Sequence, residues 1–87
     1  MLSVSQFNKQ YELTQEKVDS FLDKNICIRL ETKNSMMSIS GRLSKNVEDF
    51  YIVVDEDRIT NMAVFEYNSI KSIGYEFMLG YDIIILQ

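Results

Sequence analysis

Residues 25–73 read NICIRLETKNSMMSISGRLSKNVEDFYIVVDEDRITNMAVFEYNSIKSI. Within this stretch, five short segments alternate apolar with polar residues, and few residues separate one segment from the next. An apolar period of two is typical of a β-strand that buries one face. The pattern predicts strands at residues 26–32, 36–44, 50–54, 59–67 and 70–73, with a 3₁₀ turn running into the last of them.

Gly41 stands in the middle of the second predicted strand, on its apolar face. A glycine at such a position marks a sharp bend or a close approach of two backbones. In a small barrel the second strand must bend to serve both halves of the sheet. We therefore expect a mainly β fold, with a strongly bent, five-stranded antiparallel SH3-like barrel at residues 26–74.

A short helix is predicted before the first strand, at residues 14–25. Thr14 is a favourable N-cap, and Val18, Phe21 and Leu22 form one apolar stripe. This stripe would cover the open end of the barrel or an external partner. Residues 1–13 form an N-terminal arm with apolar residues at helical spacing, which docks on a partner subunit or rests on its own barrel.

The C-terminal extension, residues 75–87, contains the run Ile83-Ile84-Ile85-Leu86. Four consecutive apolar, β-prone residues promote aggregation unless another strand covers them. We expect an extra C-terminal strand that adds to the barrel or to the sheet of another subunit. A tail folded as a helical lid on a partly open, pleckstrin-like barrel is disfavoured by its β-branched residues. The third strand is also apolar throughout, so the predicted oligomer interface is Tyr51, Val53, Ile83 and Ile85.

The composition limits the class of protein. The 87 residues form one domain, the net charge is −4, and the chain has one cysteine and no histidine. These features exclude a disulfide scaffold, disfavour a zinc site and fit a cytoplasmic protein. No apolar run is long enough to span a membrane, so no membrane partner is expected. The acidic balance disfavours broad nucleic-acid binding but leaves room for a small local site.

Residues for catalysis are missing from the sequence. A Ser–His–Asp triad needs histidine, and the three glycines are too far apart for a phosphate-binding loop. The acidic run at residues 55–57 lacks the glycine and glutamate of a calcium loop. We therefore expect no enzyme activity, no catalytic residue, no metal and no cofactor.

Five segments carry a resemblance to a known family. They are Val18–Leu22, Ile26–Leu30, Ser40–Leu43, Asp49–Val54 and Phe65–Ile73. Their order, a helix, five closely spaced strands and a short turn before the last one, resembles the Sm-like family of small β-barrels, which includes the Hfq-type RNA chaperones. The resemblance implies a ring of identical subunits whose loops before strands three and five bind uridine-rich or adenine-rich RNA.

Carried over by position, the RNA- or partner-binding residues would be Asn46, Asp49, Phe50, Tyr67 and Asn68. Tyr67 would stack on a base and Asn68 would read one. Ahead of the last strand the Hfq-type proteins have a basic pair, whereas this chain has Glu66, Tyr67 and Asn68. The negative charge of Glu66 would repel the RNA phosphates. The leading hypothesis is therefore a non-catalytic module that self-associates through strand edges and binds a macromolecular partner, as a homo-oligomer and possible ring. The alternative is a ring that binds single-stranded RNA.

Overall fold

A computed structural model describes residues 9–55, 57 and 61–87. Seven strands form one sheet, which confirms the predicted mainly β class. The elements are β1 Lys9–Tyr11, α1 Gln15–Asp19, β2 Asn25–Glu31, β3 Met36–Lys45, β4 Tyr51–Val54, β5 Met62–Phe65, a 3₁₀ turn at Tyr67–Ser69, β6 Ile70–Glu76 and β7 Tyr81–Leu86.

The sheet is open rather than closed into a barrel. Its strand order is β1-β6-β7-β2-β3-β4-β5, and no described pairing joins β1 to β5. All neighbours are antiparallel except β2 and β7, which are parallel. The expected closed, five-stranded antiparallel arrangement is not formed, because β7 lies between β2 and β6. β7 forms an antiparallel hairpin with β6 and runs parallel to its other neighbour, β2.

The C-terminal strand is thus central rather than an addition at the rim. Ile84 belongs to the main core with the inner-face residues of β2, β3 and β4. Ile83 and Ile85 pack with Cys27 in a second apolar cluster, on the opposite face of the sheet. The apolar run of the tail is therefore covered by its own chain, on both faces.

Gly41 lies where β3 passes from pairing with β2 to pairing with β4. Residues up to Arg42 pair with β2, and residues from Arg42 onward pair with β4. A Cβ atom on Gly41 would lie 2.0 Å from the carbonyl oxygen of Val54. This confirms the predicted close approach of two backbones.

The helix begins as predicted but ends early. The Thr14 hydroxyl accepts a hydrogen bond from the Lys17 N–H at 3.0 Å, so Thr14 is the N-cap. The α-helix ends at Asp19, and the left-handed residue is Asp23, with φ of 68°, rather than Asn25. Val18 and Phe21 are buried beneath this segment, so the predicted stripe covers the core.

Other predicted boundaries shift. Residues 9–11 of the N-terminal arm form β1, because the edge of β6 offers them hydrogen-bond partners; the rest of the arm lies outside the described residues. The fourth strand is described only from Met62, and Ile59 and Thr60 lie outside the described residues. The 3₁₀ turn falls before Ile70 rather than on it.

Candidate binding groove

A concave apolar surface lies between the edge strand β5 and the adjoining ends of β2, β3 and β7. We call it the mouth groove. Its volume is about 250 Å³, and its lining includes Ile28, Leu30, Met37, Met62, Val64 and Leu86. The strand period explains its composition, because Leu30 pairs with both Met37 and Leu86 and the three side chains share the inner face.

The groove is open because α1 covers the other end of the core. Val18 and Phe21 pack there with the start of β2. At the groove, Met37 is 60% exposed on the inner face. Met62 and Val64, 52% and 55% exposed, flank the groove on the outer face of β5, because the inner-face residues of this strand are Ala63 and Phe65. Contiguous exposed apolar residues mark binding surfaces more often than singly scattered ones do.

The free edge of β5 borders the groove. Within the described part of the sheet, β5 pairs with β4 on one side only. An unpaired edge presents backbone N–H and C=O groups that can accept another strand. A segment added here would hydrogen-bond with β5 and place alternate side chains into the groove.

Hydrogen bonds within the predicted binding loop before β4 hold its backbone in place. The Asn46 side-chain oxygen accepts hydrogen bonds from the N–H groups of Glu48 and Phe50, both at 2.9 Å. Asp49 adopts φ of 66° and lies 3.9 Å from the Lys45 ammonium. The Asn46 oxygen thus orders its own loop through two backbone hydrogen bonds.

The second predicted loop lies at the same end of the sheet. Because Tyr51 pairs with Phe65, the loop before β4 and the residues after β5 are brought together. The Tyr67 hydroxyl donates to the Leu13 carbonyl oxygen at 3.4 Å, and its ring packs against the core. Asn68 is exposed, and its backbone carbonyl accepts a hydrogen bond from the Gln87 side chain at 3.4 Å. Glu48, Asp49 and Glu66 make this surface acidic.

The four residues expected at an oligomer interface lie inside the chain instead. Tyr51, Val53 and Ile83 are 0% exposed and Ile85 is 3% exposed. Both β4 and β7 have a neighbouring strand on each side, so neither offers a free edge. Contacts within one copy therefore occupy these side chains, and the candidate edge for a second copy is β5.

A polar cluster joins α1 to the sheet. The Tyr51 hydroxyl donates to Asp19 at 2.6 Å, and the Lys45 ammonium lies 3.2 Å from the same carboxylate. Gln15 donates to the Tyr51 hydroxyl at 3.4 Å. This cluster was not predicted from the sequence, because the hydrogen-bonded partners are 26 to 36 positions apart and no local spacing signals them.

The cluster predicts how stability depends on pH. Burial, together with the hydrogen bond to Asp19, raises the pKa of Tyr51, and the hydrogen bond to Asp19 raises the pKa of Lys45. Both groups hold their protons more tightly in the folded state than in the unfolded state. Their stabilisation is therefore complete below about pH 10 and is lost as the pH rises through the folded-state pKa values.

Tyr51→Phe tests this arrangement. We expect it to lower the free energy of unfolding at neutral pH by about 1.5–3 kcal/mol, since it removes a hydrogen bond to a charged group. We also expect a flatter alkaline decline in urea-melt stability above about pH 10. Tyr81→Phe is the control, because the Tyr81 hydroxyl makes no hydrogen bond within the described residues. An alkaline slope equal to that of the wild type would contradict the assignment.

The chain matches no protein-family model, no curated protein and no solved structure. Within the described residues, no cluster of histidine, cysteine and carboxylate side chains is suited to a metal ion. The helices in that part of the chain are too short and polar to cross a membrane.

A second exposed apolar feature lies on the turn between β6 and β7. Phe77, Met78 and Leu79, which we call the apolar tip, are 63%, 90% and 56% exposed. The Glu76 carboxylate accepts a hydrogen bond from the Leu79 N–H at 2.7 Å, and its backbone carbonyl accepts one from the Gly80 N–H at 2.9 Å. Gly80 has φ of 73°, which closes the turn. The turn that carries the tip is therefore closed by hydrogen bonds within its own residues.

Proposed function

We propose that this chain is a non-catalytic binding module that self-associates through the free edge of β5 and holds an apolar segment of a macromolecular partner in the mouth groove. The observation that carries the proposal is the juxtaposition of an unpaired strand edge with exposed Met62 and Val64 and an open apolar concavity. The order of helix, strands and 3₁₀ turn, from α1 to β6, supports an Sm-like barrel as the related architecture, with β7 inserted.

The size of the groove favours side chains of a protein segment over a cofactor. Small-molecule sites usually measure about 300–1,000 Å³. The mouth groove, at about 250 Å³, is smaller, and its lining is almost wholly apolar. An extended segment would add backbone hydrogen bonds along β5, which a small apolar ligand cannot make.

Val64→Lys tests the edge. Val64 is 55% exposed, so lysine can be accommodated without burying its charge, but an added strand would have to cover it. We expect the apparent self-association constant to fall at least tenfold, measured by sedimentation from micromolar to millimolar concentration. Val47→Lys is the matched control, because Val47 is 99% exposed on the loop before β4, and we expect no change. A wild-type chain that stays monomeric throughout would refute self-association.

Single-stranded RNA is the competing partner, favoured by the position of the two predicted loops at one end of the sheet. A ring using Tyr67 and Asn68 would bind short uridine-rich or adenine-rich RNA with strong salt dependence. Fluorescence anisotropy at low salt measures this directly, with Tyr67→Ala and Asn68→Ala as binding variants. The three carboxylates around the loops oppose such binding, and absence of binding at low salt would remove this alternative.

A further inference from the structure

We propose that the mouth groove receives the apolar tip of a second copy of this chain, so that copies join head to tail. The inference rests on the proposed function, because the tip would be the apolar segment that the groove holds. The partner is a second copy of the chain, and the contact is asymmetric: one copy contributes its groove and the other its tip.

The tip is an exposed apolar turn that two hydrogen bonds close. Met78 is 90% exposed and Leu79 is 56% exposed, on a turn held by two hydrogen bonds to Glu76. A fixed turn loses little conformational freedom when it binds, which lowers the entropic cost of association. Phe77 packs its ring against Tyr75, with centroids 5.5 Å apart, so the base of the tip is braced.

The groove is the complementary concavity. Its volume of about 250 Å³ is suited to one or two large apolar side chains. Its polar lining is small and its apolar residues are exposed, with Met37 at 60%. Apolar surfaces of this kind are stabilised by removal from water, so a contact between tip and groove should respond weakly to salt.

The two features cannot meet within one copy. The tip directly precedes Tyr81, at the start of β7, whereas Leu86, at its end, lines the groove. With a rise of about 3.3 Å per residue, these strand ends are roughly 17 Å apart. Pairing with β6 and β2 holds β7 extended between them. A contact between tip and groove is therefore intermolecular.

The area of the contact indicates its strength. If a fully exposed large side chain presents on the order of 150 Å², the exposed fractions of the three tip residues leave roughly 300 Å² on the tip, and the contact would bury roughly 600 Å² in total. Stable standard interfaces bury about 1,200–2,000 Å². One contact alone should therefore be weak and dependent on concentration. Because the contact is heterologous, each copy can make two, and a ring or filament gains from the repetition.

Two variants at adjacent positions of β3 provide a matched test. Met36 and Met37 are 58% and 60% exposed, but only Met37 lines the groove. We expect Met37→Lys to weaken self-association at least tenfold and Met36→Lys to leave it within twofold of the wild type. For the tip, we expect Met78→Lys to weaken association equally, with Val47→Lys again as the exposed control. Urea melts establish that each variant folds.

Mixing two defective variants tests the asymmetry. Met37→Lys keeps an intact tip and Met78→Lys keeps an intact groove, so together they can form one contact. We expect each variant alone to associate at least tenfold more weakly than the wild type, and the equimolar mixture to form 1:1 heterodimers in excess of the residual association of either variant alone. Association of Met78→Lys at wild-type strength, or a mixture that stays monomeric, would overturn the inference. In either case, loss of association in Val64→Lys would leave the proposed edge function standing.

Discussion

Truncation of the chain after Gly80 is expected to abolish folding. The deletion removes β7, which separates β6 from β2 and contributes Ile83, Ile84 and Ile85 to the two apolar clusters. Loss of one buried isoleucine to alanine costs about 2–5 kcal/mol, and domains have total stabilities of about 5–15 kcal/mol. We expect circular dichroism of the truncated chain to show an unfolded spectrum, with no cooperative urea transition.

Point variants of Ile84 distinguish the loss of buried side chains from the mere shortening of the chain. Ile84 is 0% exposed, so Ile84→Val should lower the free energy of unfolding by about 0.5–1.5 kcal/mol and Ile84→Ala by about 2–5 kcal/mol. Deletion of the exposed Gln87 alone should have a much smaller effect, because its backbone N–H makes a single hydrogen bond to Ser69. A truncated chain that retained a cooperative transition would show that β7 is dispensable.

Substitution of Gly41 by alanine should produce the second-largest effect. The new Cβ would lie 2.0 Å from the Val54 carbonyl oxygen and 2.7 Å from its carbonyl carbon. These are backbone atoms, so they cannot rotate away as a side chain would, and β3 and β4 would have to separate. We expect the free energy of unfolding to fall by about 3 kcal/mol or more in urea melts, at the upper end of overpacking effects.

Gly80→Ala is the matched control for Gly41→Ala. Gly80 has φ of 73°, but no atom lies within 4 Å of its potential Cβ. Its substitution should therefore cost only the backbone strain of a left-handed alanine, about 1–2 kcal/mol. Equal losses at the two glycines would show that the clash at Val54 is relieved by local movement.

Several features of the fold could be predicted because local interactions specify them. Thr14 caps the helix through a hydrogen bond to a residue three positions away. Alternation of apolar residues predicts which face of β3 is buried, and Gly41 marks a close approach. In β2 the alternation predicts only one covered face, whereas Cys27 on the opposite face is buried as well. Each of these signals depends on residues close in sequence or on the absence of a side chain. One amino-acid sequence is therefore enough to reveal them.

The candidate site was much less predictable. Met37 and Met62 belong to two different predicted strands, at residues 36–44 and 59–67, and only the folded sheet brings both beside one groove. The polar cluster of Asp19, Lys45 and Tyr51 depends in the same way on packing between distant elements. Tyr51 and Ile83 were predicted at an oligomer interface, because apolar residues on both faces of a strand do not reveal whether its neighbours belong to the same chain or to another copy.

The position of β7 illustrates the division between sequence and tertiary structure. The run from Ile83 to Leu86 by itself determined that a strand would form there and would need cover on both faces. Only the folded sheet decided that this strand would pair with β2 and β6 and leave β5 at an edge. The physical reason is that every strand edge offers the same backbone donors and acceptors. The choice between edges therefore depends on how side chains from the whole chain pack together.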